Sequence, residues 1–186
     1  MRIISGNSKG KRLLEPKDLN TRPLKDLTKE SIFNIIKHSN KFNIEIEKSN
    51  ILDLFSGVGS FGLECLSRGA LSVTFVENYQ EATAILKKNI NNLNYLDFSS
   101  VIEKDVFNGL DLKKLKNFNI IFIDPPYKEQ RLNELLQKIT HSKILDEKGI
   151  IIIHRHKKED EKFIDKLNII EIKTYGISKV IFGNFI

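Results

Sequence analysis

The 186-residue chain has a single cysteine, Cys65, which excludes an internal disulfide framework and makes a reducing cytoplasm the simplest compartment. No apolar run approaches the ~20 residues that cross a bilayer. The opening Met1-Arg2-Ile3-Ile4-Ser5-Gly6 is too short in apolar residues for a signal peptide, so no membrane is expected. Histidine is scarce too. His154 and His156 form an H-x-H, but no further Cys or His cluster supports a metal, and both read as polar residues at a strand edge. Acids are thin in one place: residues 1–40 hold four of them (Glu15, Asp18, Asp26, Glu30) against nine Lys or Arg, so most of the net charge of +6 lies there. A basic arm of this kind, with Lys9, Lys11, Arg12, Arg22 and Lys29 among its cations, suits a polyanionic partner, because clustered cations displace condensed counterions from a phosphate backbone. With 40% hydrophobic and 29% charged residues, the composition is that of one globular domain able to bury its own core, and a monomer is expected.

Arg2 to Ser5 and Lys11 to Glu15 read as short strands around a turn-rich stretch, a hairpin with a basic tip. A helix is expected from about Lys25 to His38, and the two form a small extension over residues 1–40. A core over residues 50–186 then alternates strands (51–55, 72–76, 100–103, 118–123, 149–153) with helices (60–68, 80–92, 131–141, and a charged one around 159–167). The last two strands, 169–174 and 179–185, are joined by too few residues for a parallel crossover and must form an antiparallel hairpin. Continuous apolar strands alternating with helices predict an α/β fold, a doubly wound, mostly parallel seven-stranded sheet covered on both faces, with the antiparallel hairpin at one side.

Two stretches carry chemistry. Phe122-Ile123-Asp124-Pro125-Pro126-Tyr127 ends a strand abruptly, since successive prolines remove two backbone donors and hold Asp124 and Pro125 extended. The outcome is a stiff strand end with a carboxylate, free carbonyls and a flat ring, suited to gripping a planar amine. Gly57-x-Gly59-x-x-Gly62 follows Asp53 and Phe55 and precedes a helix, which brings the backbone close to a ligand. This spacing also fits a dinucleotide fingerprint. A pyrophosphate, however, would be repelled by Asp53, whereas a cationic ligand would be welcomed. S-adenosylmethionine answers that requirement, with Glu77 placed to meet its ribose and Asp105 its adenine amine. Asp53, Glu77, Asp105 and Asp124 all end or follow strands and would converge on one crevice.

With these residues in place, the chain resembles the class I methyltransferases that methylate exocyclic amines. Thr21-Arg22-Pro23, Asp26, Glu30, Phe33 and Asn34, together with Leu63-Glu64, Ser67-Arg68-Gly69-Ala70 and Tyr175-Gly176, make it similar over nearly its whole length to the bacterial 16S rRNA guanine-N2 methyltransferases. Leu24, Leu27, Lys29 and Cys65 depart from that pattern. The resemblance implies a Rossmann-like fold, S-adenosylmethionine as methyl donor, no metal, and 16S rRNA or the assembling small subunit as partner. It further implies direct methyl transfer, with Asp124 and the Pro125 carbonyl holding the amine and Tyr127 stacking on the unstacked base. The Asp-Pro-Pro-Tyr element is shared with adenine-N6 DNA enzymes, and a non-catalytic RNA-binding or ribosome-assembly module would keep the same fold; both remain alternatives.

Overall fold

A computed structural model describes residues 1–16, 24–115, 117–159 and 162–186. Its elements in chain order are α1 (Asp26–His38), β1 (Asn50–Leu54), α2 (Ser60–Ser67), β2 (Ser72–Val76), α3 (Gln80–Asn92), β3 (Ser99–Ile102), β4 (Phe118–Ile123), α4 (Leu132–Ser142), β5 (Leu145–His156), β6 (Leu167–Tyr175) and β7 (Ser178–Phe185). The strands form one seven-stranded sheet in the order β3-β2-β1-β4-β5-β7-β6. The first five are parallel, while β7 runs antiparallel to both β5 and β6, the hairpin that the short connection requires.

Because neighbouring side chains of a strand point to opposite faces, a continuous apolar run must be covered on both. The core divides accordingly. Ile51, Phe75, Ile120, Phe122, Ile150 and Ile152 pack on one face with α1, α2 and α3. Leu52, Leu54, Ile121, Ile123, Ile151 and Ile153 pack on the other with α4. On the first face the rings of Phe33, Phe61 and Phe122 stack in series, with centroids 5.3 and 4.0 Å apart, and carry α1 onto α2 and the sheet. Leu24 is buried there, so its departure from the family pattern serves the core, whereas Leu27 is exposed.

The N-terminal segments pair antiparallel through Arg2 and Arg12, with Ile3 N donating to Lys11 O at 2.9 Å and Leu13 N to Met1 O at 3.1 Å, and the turn between them docks on α2, where Asn7 N donates to Ser67 O at 2.7 Å and Ser8 N to Ser67 Oγ at 3.0 Å. One expectation changes. The charged helix around 159–167 does not form among the described residues. Pairing with β7 keeps β5 extended as far as His156, residues 162–164 are irregular with Phe163 and Ile164 against the core, and Leu167 already belongs to β6.

Candidate active site

From β1 the chain crosses to β2 and β3 on one side, while β4 lies on its other side, so the order reverses between β1 and β4. Ligands of open parallel sheets bind at such a reversal, outside the carboxyl ends of the strands. Both motifs stand there. The glycine loop leaves β1 as the Asp-Pro-Pro-Tyr stretch leaves β4, and Asp124 N donates to Leu54 O at 3.3 Å, joining the two strand ends.

The loop turns through the left-handed region at Phe55 (φ 59°), Gly57 (φ 53°) and Gly59 (φ 87°). A Cβ at Gly57 would meet nothing within 4 Å, so the loop's outer side is clear. On its inner side a Cβ at Gly62 would lie 2.3 Å from the Phe75 ring, which is why α2 can lie close to β2 only with glycine there. Phe55, the non-glycine residue in this turn, tilts its ring against Phe107 at 6.0 Å, and the Arg131 guanidinium covers Phe107 at 3.8 Å.

Three acids expected at this edge bond to the protein itself. Glu77 Oε2 accepts from Gly57 N at 2.8 Å and its Oε1 from Asn78 N and Tyr79 N at 2.9 Å, tying the end of β2 to the loop. Asp105 Oδ1 accepts from Phe107 N and Asn108 N, and its Oδ2 accepts from Asn78 Nδ2 at 3.0 Å, so the ends of β2 and β3 are linked. Asp53 requires a correction: it does not face outward to a ligand. It lies beneath the loop, 1% exposed, and its Oδ2 accepts from Gly62 N at 3.0 Å, holding the loop against the first turn of α2.

Burial pushes the Asp53 carboxyl well above the ordinary carboxylate range, and the nearby charges of Asp124 and Glu77 add to the rise against the opposing bond from Gly62. Since the folded value lies above the unfolded one, the associated stability is present below the unfolded pKa and is lost as pH rises through the folded pKa. Asp53→Asn keeps an acceptor for Gly62 N and carries no charge. It is expected to gain in urea-unfolding stability over the parent at about pH 8, with the difference closing towards about pH 4. An equal difference at both would show that charge is not its origin.

Asp124 is partly exposed and Pro125 is buried. The carboxylate Oδ1 lies 2.8 Å from His154 Nδ1 on β5, and Tyr127 sets its ring edge-on to His156 at 5.1 Å and to His154 at 6.4 Å. Arg155, 1% exposed, points to the other side of the strand and donates to Pro126 O at 3.2 Å and Glu129 O at 3.0 Å. His154 and Arg155 are functional candidates that the residue pattern did not reveal. His154 is buried rather than a solvated strand end, and the one signal available, its place after the apolar run Ile150–Ile153, acquires meaning only when β5 is known to pair with β4.

Among the cations of the basic arm, Lys9, Lys11 and Arg12 are exposed, and Arg22 lies outside the described residues. Lys29 is corrected: it is fully buried and is not a surface contact for a polyanion. Its Nζ donates to Arg2 O at 2.7 Å and reaches Ser60 Oγ at 3.4 Å and Glu64 Oε2 at 3.6 Å. Burial lowers its pKa, against the raising influence of Glu64 and Asp26. No group of His, Cys, Asp and Glu among the described residues could hold a metal ion, and no helix among them is long and apolar enough to cross a membrane.

Comparison with known proteins matches residues 1–184 to the family described as "Conserved hypothetical protein 95". The chain is 36% identical over 183 residues to the "Putative rRNA methyltransferase YlbH" of Bacillus subtilis, covering 97% of this chain and 96% of that protein. It is 34% identical over 167 residues to the "Ribosomal RNA small subunit methyltransferase D" of Buchnera aphidicola subsp. Baizongia pistaciae, covering 90% and 79% of the two. Among solved structures, the "Putative methyltransferase yhhF" from Escherichia coli superposes with a TM-score of 0.82 at 25% identity, covering 100% of this chain and 97% of that one.

Proposed function

From the premise that this chain belongs to the conserved hypothetical protein 95 family, which includes bacterial 16S rRNA methyltransferases, we propose that it transfers a methyl group from S-adenosylmethionine to the exocyclic N2 amine of a guanine in small-subunit rRNA. The observation that carries this reading is the hydrogen bond from Asp124 N to Leu54 O. It sets a glycine loop suited to a methyl donor beside a strand end suited to a planar amine, at the reversal of the sheet.

The residues present fit the donor. The clear outer side of Gly57 admits a ligand against the backbone, and the half-buried Glu77 and Asp105 offer acceptors to ribose hydroxyls and an adenine amine. Asp53 acts from below by holding the loop. When bound, S-adenosylmethionine supplies a methyl group made electrophilic by its sulfonium. The chain supplies position. An exocyclic guanine amine is a weak nucleophile because its lone pair is delocalised into the ring. Hydrogen bonds from its N–H groups to the Asp124 carboxylate and the Pro125 carbonyl would let the nitrogen pyramidalise and hold it in line for transfer. Transfer would exchange the methyl's bond to sulfur for one to the amine nitrogen, with S-adenosylhomocysteine as the product that leaves, and Asp124 Oδ2 would receive the amine proton released. Tyr127, its ring braced by His156, stacks on the base, a contact worth ~1–3 kcal/mol. No covalent enzyme intermediate is required.

Lys9, Lys11 and Arg12, on the exposed N-terminal turn, supply the phosphate contacts in this reading, with Arg22 beside them in sequence. Labelled methyl transfer to 16S rRNA and to small subunits, followed by mass-spectrometric mapping, is expected to locate N2-methylguanine at one nucleotide. Label in DNA but not in rRNA would overturn the substrate assignment. A protein that bound rRNA and labelled nothing would instead be an assembly module. In the same assay, reversing Lys9, Lys11 and Arg12 to Glu should weaken RNA binding, flatten its salt dependence by ~0.7–0.9 in log–log slope per lost contact, and leave cofactor affinity unchanged.

A further inference from the structure

We infer that His154 is the positioning residue of Asp124, fixing which carboxylate oxygen is offered to the target amine; this rests on the catalytic reading of Asp124 given above. Strand β5 pairs with β4 up to Ile153 opposite Ile123, so the next residue of each strand stands side by side at the edge of the sheet. The result is the 2.8 Å contact between His154 Nδ1 and Asp124 Oδ1.

The protonation pattern follows from the partners. An ionised carboxylate only accepts, so Nδ1 carries the proton and donates it. Nε2 is buried and has no hydrogen-bond partner among the described residues. A bare ring nitrogen there costs less than a buried N–H with nothing to receive it. The partners therefore assign the ring's donor to Nδ1, facing Asp124 Oδ1. Its side chain is 8% exposed against 22% for that of Asp124, so the imidazole is the fixed member and the carboxylate the one that is held. With Oδ1 engaged by His154, Oδ2 is the oxygen left to receive the amine hydrogen.

The neighbouring residue holds the backbone in the same way. Arg155, on the opposite face of β5, binds the carbonyls of Pro126 and Glu129, so one strand end governs both the carboxylate and the turn that follows it. Rotation of Asp124 about its Cβ–Cγ bond, which the two prolines do not restrict, is what His154 prevents. Misplacement of a reacting group by about 1 Å costs on the order of 100-fold in rate.

The variants His154→Leu and His154→Asn separate positioning from packing, since the asparagine amide retains an N–H donor near the place of Nδ1. In methyl transfer to small-subunit rRNA by the full-length protein, His154→Leu is expected to lower kcat on the order of 100-fold while the KM for S-adenosylmethionine stays unchanged. His154→Asn should recover most of that loss. In an Asp124→Ala background, which removes the acceptor, adding His154→Leu should cost nothing further in residual activity. Equal loss in both single variants, or independent losses in the double variant, would overturn the inference. A readout without turnover accompanies these: ¹⁵N NMR of the protein alone should show the His154 proton on Nδ1, with a shift that changes in Asp124→Asn. A proton on Nε2 would overturn the inference by itself. The two failures are separable, because an inactive wild-type protein on rRNA sinks the substrate reading, whereas the tautomer is measured regardless of substrate.

Discussion

Replacing Asp124 by alanine is expected to lower methyl transfer to rRNA by two to three orders of magnitude, the range of about 10²–10³ seen when one preorganised hydrogen-bonding group is removed from a reacting centre. The loss should fall on kcat. In the proposed reading Asp124 contacts the amine and not the donor, so equilibrium binding of S-adenosylmethionine should be retained. The cost to folding should be confined to the buried His154 N–H that loses its acceptor, about 1–3 kcal/mol, and is partly offset because the charge of Asp124 is one of those that push the buried Asp53 upward. Removing it relieves that repulsion. Single-turnover kinetics, calorimetric titration of the cofactor and urea unfolding would check the three statements in turn, and undiminished turnover would end the catalytic assignment of Asp124.

The largest effect on stability should come from Glu64→Ala. This carboxylate, with none of its side chain exposed, accepts from Ile4 N at 2.7 Å, Ser5 N at 3.0 Å and Arg68 Nε at 2.8 Å, and faces Lys29 Nζ at 3.6 Å. Truncation would leave two backbone donors of the N-terminal segment unpaired and the Lys29 ammonium without its counter-charge. Breaking a buried pair from one side costs roughly 3–5 kcal/mol, and urea unfolding would report it. The companion variant Lys29→Met should recover part of the loss in the double mutant, because the orphaned cation is then gone. Failure to recover any of it would assign the cost to the backbone donors alone. Lys29→Glu, by the same logic, acts first on folding: a second buried acid beside Glu64 is a stability defect before it is an RNA-binding defect.

This network changes the place of the N-terminal segment in the molecule. The sequence suggests an extension that delivers RNA to a separate core. In the structure, Glu64 on α2 holds Ile4 and Ser5, Lys29 on α1 reaches Ser60 at the start of α2, and Asn89 on α3 bonds both Leu14 and Val58 O. Thus the segment braces the glycine loop from behind. Lys9, Lys11 and Arg12 of the same segment stay exposed, where the proposed reading has them meet a polyanion.

What residue types decide locally was legible from the sequence. Pro125 and Pro126 end β4 whatever surrounds them, and Gly57, Gly59 and Gly62 mark a turn and a close approach that other residues cannot make. The parallel sheet was legible because Ile120–Ile123 and Ile150–Ile153 are apolar without alternation, which only burial on both faces explains. The antiparallel end of the sheet followed from the length of one connection. Less local features misled. The charged stretch after β5 has the composition of a helix, but its described residues 162–164 are irregular and place Phe163 and Ile164 against the core, since tertiary packing outweighs a weak local propensity.

Polar side chains divide along the same line. Asp124, at a proline-stiffened strand end, could be singled out from its neighbours in sequence. Lys29, Glu64, Asp53 and His154 could not be assigned, because a charged or titratable residue carries no mark of whether it will be solvated or buried until the strands are ordered. That order set Ile153 opposite Ile123 and so brought His154 to Asp124; it folded α1 onto α2 and so brought Lys29 to Glu64. The sequence by itself therefore determined the two local devices, a sharp glycine turn after β1 and a stiff strand end at β4, since both depend on backbone stereochemistry written in glycine and proline. Only the tertiary structure decided that they meet across β1 and β4 and which buried groups hold them, because those relations join residues far apart in the chain and depend on burial, which no short stretch encodes.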